Sequence, residues 1–275
     1  MYLGAHVSIA GGFDKCLDRI SDLGGNTLMT FASSPRSLRT KDFTQEEIEK
    51  YNKKKAQLNI GPHFFHGVYL VNLASESKSY LKASVESLIF YQRFASQIEA
   101  VGTIFHVGSH KGRGLSETLT QIVQSINFIL DNSPKGIKLI LENSAGQGGT
   151  IGDTFEELEL IINRIGDKSK IGICLDTQHA FASGYNMTTL LDVFDHKIGF
   201  KRLSVIHFND SLTEFNSHKD RHANLGEGKI GAESMQKLLN DPRLKNVPFI
   251  LETPGLNHSG PRKEDIAYLK SLVVQ

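Results

Sequence analysis

The sequence predicts an α/β protein built as a single (β/α)8 TIM barrel, and three observations lead to this fold class. Eight short apolar runs alternate with segments of helical periodicity along the whole chain. Strands separated by helices form right-handed βαβ units and a parallel sheet. The chain has 275 residues, close to the length of about 250 residues that is typical of such a barrel. Eight units favour closure, although periodicity alone leaves an open doubly wound sheet as the alternative.

The predicted strands are apolar, partly β-branched runs bounded by polar residues. They cover residues 2–5, 26–31, 60–65, 103–107, 138–142, 171–176, 202–208 and 248–252. The helical segments cover residues 13–23, 45–58, 78–100, 117–130, 154–165, 188–195 and 232–239, and a final helix at 263–273 closes the chain. We expect residues 1–275 to form one domain.

The composition argues against several classes of protein. No apolar run is long enough to span a bilayer, and the first six residues lack the basic region of a signal peptide. Two dispersed cysteines, Cys16 and Cys174, do not form a disulfide framework, so we expect a reduced, cytoplasmic protein. No G-x-G-x-x-G motif follows a strand, which indicates no nucleotide cofactor. The net charge of +1 does not by itself indicate a nucleic-acid binder.

Histidine or acidic residues stand at the ends of six consecutive predicted strands. Barrel geometry brings the C-terminal ends of all strands to one face, where barrel enzymes carry their chemistry. Imidazole and carboxylate groups are ligands that Zn²⁺ and Mn²⁺ accept, and a shared cation would compensate carboxylates that meet there. The candidate ligands at these strand ends are His66, His106, Glu142, Asp176, His179, His207 and Glu252. Asp220 and His222 add a D-x-H pair, which an extended segment presents on one side.

At each of these positions, considered alone, a purely structural role is an alternative to metal binding. Asp176 would cap a short helix through the backbone N–H groups that follow it, and His179 would pack against that helix. A single histidine at a strand end is also a common core residue. This interpretation has to hold independently at six strands, and we therefore favour a metal site.

Eight motifs run in order over nearly the whole chain. They are GAHVSIAGG at 4–12, HGVYLVNLAS at 66–75, FHVGSH at 105–110, LENSAGQG at 141–148, LDTQHAF at 175–181, HFNDS at 207–211, DRHANLGEG at 220–228 and ILETP at 250–254. With these motifs the chain resembles the endonuclease IV family of apurinic/apyrimidinic (AP) endonucleases.

The resemblance implies a (β/α)8 fold with a trinuclear zinc cluster, in which Mn²⁺ can replace Zn²⁺ at some sites. The ligand sets that it implies for the three ions are His66, His106 and Glu142; Glu142, Asp176, His207 and Glu252; and His179, Asp220 and His222. It also implies a hydrolase of base-excision repair, of the deoxyribonuclease IV (phage-T4-induced) type. This enzyme cuts the phosphodiester 5′ to an abasic site and leaves a 3′-hydroxyl and a 5′-deoxyribose phosphate. Glu142 would bridge two ions and orient or deprotonate the nucleophile.

The implied partner is double-stranded DNA that contains abasic sites, and we expect a monomer. By the same resemblance, Arg36, Tyr69 and Leu70 would enter the minor groove, fill the gap left by the missing base and hold the flipped-out site. Packing over the barrel mouth is the alternative for Tyr69 and Leu70, and a solvated surface charge is the alternative for Arg36.

Several neighbouring residues receive supporting roles. We expect Asn143 and Gln147 to line the site, and His6 and His110 to brace ligands. Cys174 should face the same side of its strand as Asp176 and pack in the core. The loop KGRG at 111–114 either contacts phosphates or is a solvated turn.

The departures from the family pattern lie outside the ligand set. Val107 and the pair Gly67-Val68 stand where the family commonly has proline and alanine-proline, and Gln178 stands where cysteine is frequent. The loop at 31–38 keeps Arg36 but lacks the lysine, asparagine and tryptophan that often surround it.

Two other functions remain open at this point. A sugar isomerase or epimerase of the xylose-isomerase-like barrels also gathers carboxylates and histidines around divalent metal. Those enzymes typically hold one or two ions, so the third ligand set argues against them. A DNA-binding protein without catalysis is the other alternative, and the complete ligand sets argue against it.

Overall fold

A closed barrel of eight parallel strands lies at the centre of the protein. The computed structural model describes residues 1–274, so Gln275, the last residue of the predicted domain, lies outside the described residues. The barrel strands are β1 (Leu3–His6), β2 (Thr27–Thr30), β3 (His63–His66), β4 (Gly102–Phe105), β5 (Lys138–Glu142), β6 (Ile171–Asp176), β7 (Leu203–His207) and β10 (Phe249–Leu251). Their order around the barrel is β1-β10-β7-β6-β5-β4-β3-β2. Because β1 pairs with both β2 and β10, the ring is closed and the predicted (β/α)8 fold is confirmed.

Helices connect the strands and pack outside the barrel. Over residues 1–274 the α-helices are α1 (Lys15–Leu23), α2 (Gln45–Gln57), α3 (Lys78–Gln97), α4 (Leu115–Asp131), α5 (Phe155–Arg164), α6 (Thr177–Ala182), α7 (Leu190–Lys197), α8 (Ala232–Leu239) and α9 (Lys263–Ser271). None of these helices is both long and apolar enough to cross a membrane. Helix α2 begins at a capping box, in which Thr44 and Glu47 each satisfy the other's backbone N–H.

The observed boundaries differ from the predicted ones where local chemistry ends an element. Helix α3 ends at Gln97 rather than at residue 100, because Glu99 adopts a positive φ of 52°. Strand β3 begins at His63 rather than at residue 60, and Pro62, which has no N–H to donate, directly precedes it. Helix α6 lies where the structural interpretation of Asp176 placed a short helix. The hairpin of β8 (Asp210–Ser211) and β9 (His222–Ala223) was not predicted, because strands of two residues carry too little periodicity.

An apolar layer fills the inside of the barrel. Seven strands each contribute one fully buried residue to it, namely Met29, Phe64, Ile104, Ile140, Cys174, Val205 and Ile250. A second, larger apolar cluster fills the space between the strands and the surrounding helices. Cys174 therefore packs in the core, as its position in β6 predicted. The inner layer forms a solid floor beneath the open end of the barrel.

The inner layer yields a first prediction, in which Phe64→Ala lowers the free energy of unfolding by about 3–5 kcal/mol, because it leaves a cavity that the closed barrel cannot collapse. Urea denaturation of the metal-saturated protein measures the change. Phe128 is the matched control, since its ring is 57% exposed on α4. Phe128→Ala should shift the free energy by no more than about 0.5 kcal/mol. Equal shifts for the two variants would contradict the assignment of Phe64 to the barrel interior.

Candidate metal centre

The candidate ligands lie one layer above the apolar floor of the barrel. Residues two apart in a strand face the same side, so each residue that follows an inner-layer residue by two positions also points into the barrel. Six strands place a histidine or a carboxylate there, at the C-terminal mouth. These residues are His66, His106, Glu142, Asp176, His207 and Glu252.

Glu142 is the centre of the cluster and has no exposed surface. One carboxylate oxygen, Oε2, lies 3.0 Å from Nε2 of His66 and 3.4 Å from Nε2 of His106. The other oxygen, Oε1, lies 2.7 Å from Nδ1 of His207. Nδ1 of His207 is also 3.1 Å from Oε2 of Glu252. One buried carboxylate therefore faces histidines from three other strands.

The ligand atoms form two groups that share Glu142. In each group, all ligand atoms lie within 4.8 Å of one another. The members are His66, His106 and Glu142 in one group, and Glu142, Asp176, His207 and Glu252 in the other. These are the first two sets that the family resemblance implied.

A third group lies beside them and includes residues from outside the barrel strands. His179 lies on α6, His222 lies in β9, and Asp220 lies in the loop before β9. Oδ1 of Asp220 is 3.4 Å from Nε2 of His179 and 3.5 Å from Nε2 of His222. Asp176 also joins this group, because a carboxylate oxygen lies within 4.8 Å of the ligand atoms of both histidines.

The hydrogen-bond partners of three histidines leave one ring nitrogen of each directed towards the site, as metal binding requires. The Nδ1 atoms of His66, His179 and His222 face backbone carbonyl oxygens, those of Gly67 at 2.6 Å, Asn143 at 2.9 Å and Glu252 at 3.2 Å. A neutral imidazole that donates from Nδ1 presents a lone pair at Nε2. These lone pairs face carboxylate oxygens, which repel them unless a cation lies between. Nε2 of His179 and of His222 are buried and have no hydrogen-bond partner.

Protons take the place of cations when no metal is bound. Burial alone would lower the pKa of His179, but Asp176 and Asp220 outweigh burial and raise the pKa to about 10. The pKa of His207 is also raised, because Cys174, Glu252 and Glu142 together counter the effect of burial. Burial alone would raise the pKa of Glu142, yet His106 and His207 hold it well below its usual range. The cluster thus combines the ionised carboxylate of Glu142 with His179 and His207, which carry protons.

Two buried asparagines hold the ligands in place. Asn143 Oδ1 accepts from the backbone N–H of Asp176 at 2.7 Å, and its Nδ2 donates to the carbonyl oxygen of the same residue at 3.1 Å. Asn209 Nδ2 donates to Oδ2 of Asp176 at 2.6 Å, and its Oδ1 accepts from the N–H of Glu252 at 2.7 Å. Asn209 was missed at the sequence level, although it lies in the HFNDS motif directly after a strand-end ligand.

Asp176 caps a short helix, as the structural interpretation predicted, and it also belongs to the ligand groups. Oδ1 of Asp176 accepts from the N–H of His179 at 2.7 Å and caps α6.

His6 lies beside Glu252, with 3.2 Å between Nδ1 and Oε1, as expected for a residue that braces a ligand. The expectation for His110 was wrong. Its Nδ1 accepts from the N–H of Gly112, and no described hydrogen bond joins it to a ligand, because the loop after β4 turns it towards Gly149.

A cleft of about 770 Å³ extends from the ligands across the barrel mouth. Tyr69 and Leu70 line it and are 66% and 37% exposed, so neither is packed under a loop. Arg36 is exposed and lines a neighbouring groove that also contains Leu70. In the 111–114 loop, Lys111 lines the cleft, whereas Arg113 also bonds the carbonyl oxygen of Ala74. Tyr69 and Leu70 therefore lie on the rim of the site, and Arg36 lies in the groove next to it.

With this geometry in place, comparison with known proteins gives the family. Residues 17–272 match the family described as xylose isomerase-like TIM barrel. A Halothermothrix orenii protein named "Probable endonuclease 4" is 42% identical over 260 residues, which are 92% of this chain and 94% of that protein. The chain belongs to the endonuclease 4 family. The resemblance inferred from the eight motifs is thus confirmed.

Solved structures agree with membership of the endonuclease 4 family. The crystal structure of endonuclease IV from Thermus thermophilus is 32% identical, with a TM-score of 0.88, and the match covers 99% of this chain and 98% of that one. A D-tagatose 3-epimerase-like protein matches with a TM-score of 0.73 over 99% and 95% of the two chains. At 20% identity, the second match shows the shared fold alone.

A second prediction concerns the pH dependence of the metal-free protein. His179 has a folded-state pKa of about 10 against 6.5 for an ordinary histidine, so its stabilising contribution is fully present below pH 6.5. That contribution is lost as the pH rises towards 10. We expect the melting temperature of chelator-treated protein to fall over this window, where the carboxylates stay ionised in both states.

Scanning calorimetry between pH 6.5 and 9.5 measures this slope. His179→Gln removes one of the titrating groups and should reduce the slope, whereas His196→Gln, at an exposed position on α7, should leave it unchanged. A metal-free protein whose melting temperature rises over the same window would contradict the charge assignment.

Proposed function

We propose that this protein is a metal-dependent AP endonuclease of base-excision repair, of the deoxyribonuclease IV type. It hydrolyses the phosphodiester 5′ to an abasic site in double-stranded DNA and leaves a 3′-hydroxyl and a 5′-deoxyribose phosphate. One observation carries the proposal: in a chain of the endonuclease 4 family, histidines and carboxylates from six barrel strands converge around the buried Glu142. We further propose that it acts as a cytoplasmic monomer and that the chain is one domain.

We assign three divalent ions to the three ligand groups, with Zn²⁺ as the usual metal and Mn²⁺ able to replace it at some sites. Bound ions would supply an activated water and would stabilise the negative charge that develops on the phosphate and on the departing 3′-oxygen. His66, His106 and Glu142 would hold the first ion, and Glu142 would also reach the second. The remaining ligands are Asp176, His207 and Glu252 for the second ion, and His179, Asp220 and His222 for the third.

Glu142 is the residue that we assign to catalysis. Its carboxylate is buried and ionised, and its two oxygens are directed to opposite sides by His66 and His207. A carboxyl group whose pKa is so low is a weak base, which favours orienting the attacking water over removing its proton. The asparagines that hold Asp176 keep the neighbouring carboxylate oxygens in fixed positions while the substrate binds.

We assign recognition of the abasic site to the rim residues Tyr69, Leu70 and Arg36. An abasic sugar-phosphate rotates out of the helix at less cost than an intact nucleotide, since no base has to be unstacked. Tyr69 contacts the ring of Phe31, with 5.2 Å between ring centroids, and lies 6.2 Å from the ring of His66. An exposed aromatic side chain so close to the ligands is suited to fill the space of a missing base in the minor groove.

A third prediction tests catalysis: Glu142→Gln lowers the nicking rate on a duplex with one abasic site by at least about a hundredfold, because a neutral amide would lack the charge needed to hold two cations. Glu117→Gln, at an exposed position on α4, is the matched control and should cut at the wild-type rate. Chelator treatment should abolish cutting, and added Zn²⁺ should restore it.

The same experiment separates the alternative functions. A metal-loaded Glu142→Gln protein that nicks at the wild-type rate would reject the role of Glu142. Wild-type protein that binds the abasic duplex without cutting it would indicate a binding protein that has lost catalysis. Turnover of a free sugar would indicate an isomerase or epimerase.

A fourth prediction concerns selectivity: Tyr69→Ala and Leu70→Ala each weaken binding to abasic duplex by roughly 1–3 kcal/mol, because an unfilled gap no longer stabilises the flipped-out site. Binding to intact duplex should change little. Leu160→Ala is the control, since Leu160 is an exposed apolar residue on α5. Fluorescence anisotropy with paired abasic and intact duplexes measures the ratio of affinities. Equal losses on both duplexes would contradict a role in recognising the missing base.

A further inference from the structure

The peptide group between Lys219 and Asp220 is held at both ends by glutamine side chains. Gln178 Nε2 donates to the carbonyl oxygen of Lys219 at 3.0 Å. Gln147 Oε1 accepts from the N–H of Asp220 at 3.0 Å. This carbonyl and this N–H belong to one rigid, trans peptide plane and point in opposite directions. The two bonds therefore restrain the plane from both sides, and with it the position of the Asp220 side chain.

Asp220 needs this restraint more than the other members of its ligand group. His179 is built into α6, and His222 lies in β9, where it pairs with Ser211. Asp220 instead lies between the two strands of the hairpin, outside any helix or strand, and its side chain is 50% exposed. Ordering such a loop residue costs conformational entropy, which lowers the affinity for any ligand that requires the ordered form.

We propose that Gln178 and Gln147 form a clamp, defined as these two side chains, that positions the Asp220 carboxylate to hold the third cation. The inference rests on the proposed function, which places a cation among Asp220, His179 and His222. In the clamped loop, Oδ1 of Asp220 faces the two imidazole nitrogens that lack hydrogen-bond partners. The clamp thus determines how tightly the third ion is held, while the other two ions depend on residues of the barrel strands.

Gln178 makes the stronger contribution of the two residues. Its side chain is fully buried, and it directly precedes His179 in α6. Its amide group therefore links the helix that carries His179 to the peptide group next to Asp220. Gln147 is exposed and also accepts from Arg221 at 3.3 Å.

The test variant is Gln178→Met, which keeps the length of the side chain but removes the donor. We expect the affinity for the third Zn²⁺ to fall about 10–100-fold, the usual effect of removing a group that orients a metal ligand. Metal-free protein is dialysed against buffers of stepped free Zn²⁺ concentration, and the ions bound per chain are counted by mass spectrometry. Wild-type protein should bind three, and the variant two at concentrations where the wild type is full.

Two further variants keep the experiment decisive. Gln124→Met, at an exposed position on α4, is the matched control and should bind Zn²⁺ as the wild type does. Gln147→Met changes an exposed residue, so it tests the clamp without risk to the core, and it should weaken the third ion alone. The double variant Gln178→Met with Gln147→Met should lose less affinity than the sum of the single losses, because both side chains act on one peptide group.

Each result has a distinct meaning. Selective weakening of the third ion in Gln178→Met and Gln147→Met supports the clamp. Wild-type affinity for all three ions in both variants overturns this inference and leaves the proposed function intact. Loss of all three ions together in Gln178→Met shows a general packing role and also overturns it. Wild-type protein that binds fewer than three ions overturns the three-ion proposal and, with it, the clamp.

Discussion

Glu142 places an ionised carboxylate at the mouth of the barrel with none of its surface exposed, and four histidine nitrogens surround it at 2.7 to 3.7 Å. A buried charge of this kind is costly unless opposite charge and hydrogen bonds compensate it. Protons on the histidines meet that need in the metal-free protein, and divalent cations would meet it more completely. The requirement for compensation explains why histidines rather than apolar residues follow the inner layer on so many strands.

The barrel supplies the rigidity that such a cluster requires. Closure of the ring leaves no strand free to move alone, and the apolar layer beneath the ligands is fully buried. Asn143 and Asn209 then bind Asp176 from two sides, through its backbone and its carboxylate. Ligands held in this way keep their geometry before any metal or substrate arrives, which reduces the ordering cost of binding.

The third ligand group differs from the other two in how it is supported. Its residues come from a short helix, a loop and a two-stranded hairpin. For Asp220, hydrogen bonds from Gln178 on α6 and from Gln147 replace the strand pairing that positions other ligands. Asp220 and His179 of this group line the cleft together with His106, and the same cleft reaches the exposed side chains of Tyr69 and Leu70.

Much of this architecture can be predicted from the sequence, because strands and helices are marked by the short-range periodicity of apolar residues. Apolar runs that alternate with helical segments predicted the closed (β/α)8 fold, and the strand-end position of residues such as His66 and Glu142 placed them at one mouth. The D-x-H spacing indicated Asp220, and the family resemblance gave it a place in the third ligand set.

Other features depend on contacts between segments that are far apart in the chain. Asn209 bonds residues 33 and 43 positions away, and Gln147 reaches the N–H of Asp220 across 73 residues. The short hairpin that carries His222 forms only because Ser211 pairs with it across a ten-residue loop. Polar side chains of this kind look alike in sequence whether they face water or a neighbouring loop. Their roles were therefore decided by folding, which brings a donor and an acceptor within 3 Å and removes the water that would otherwise bind both.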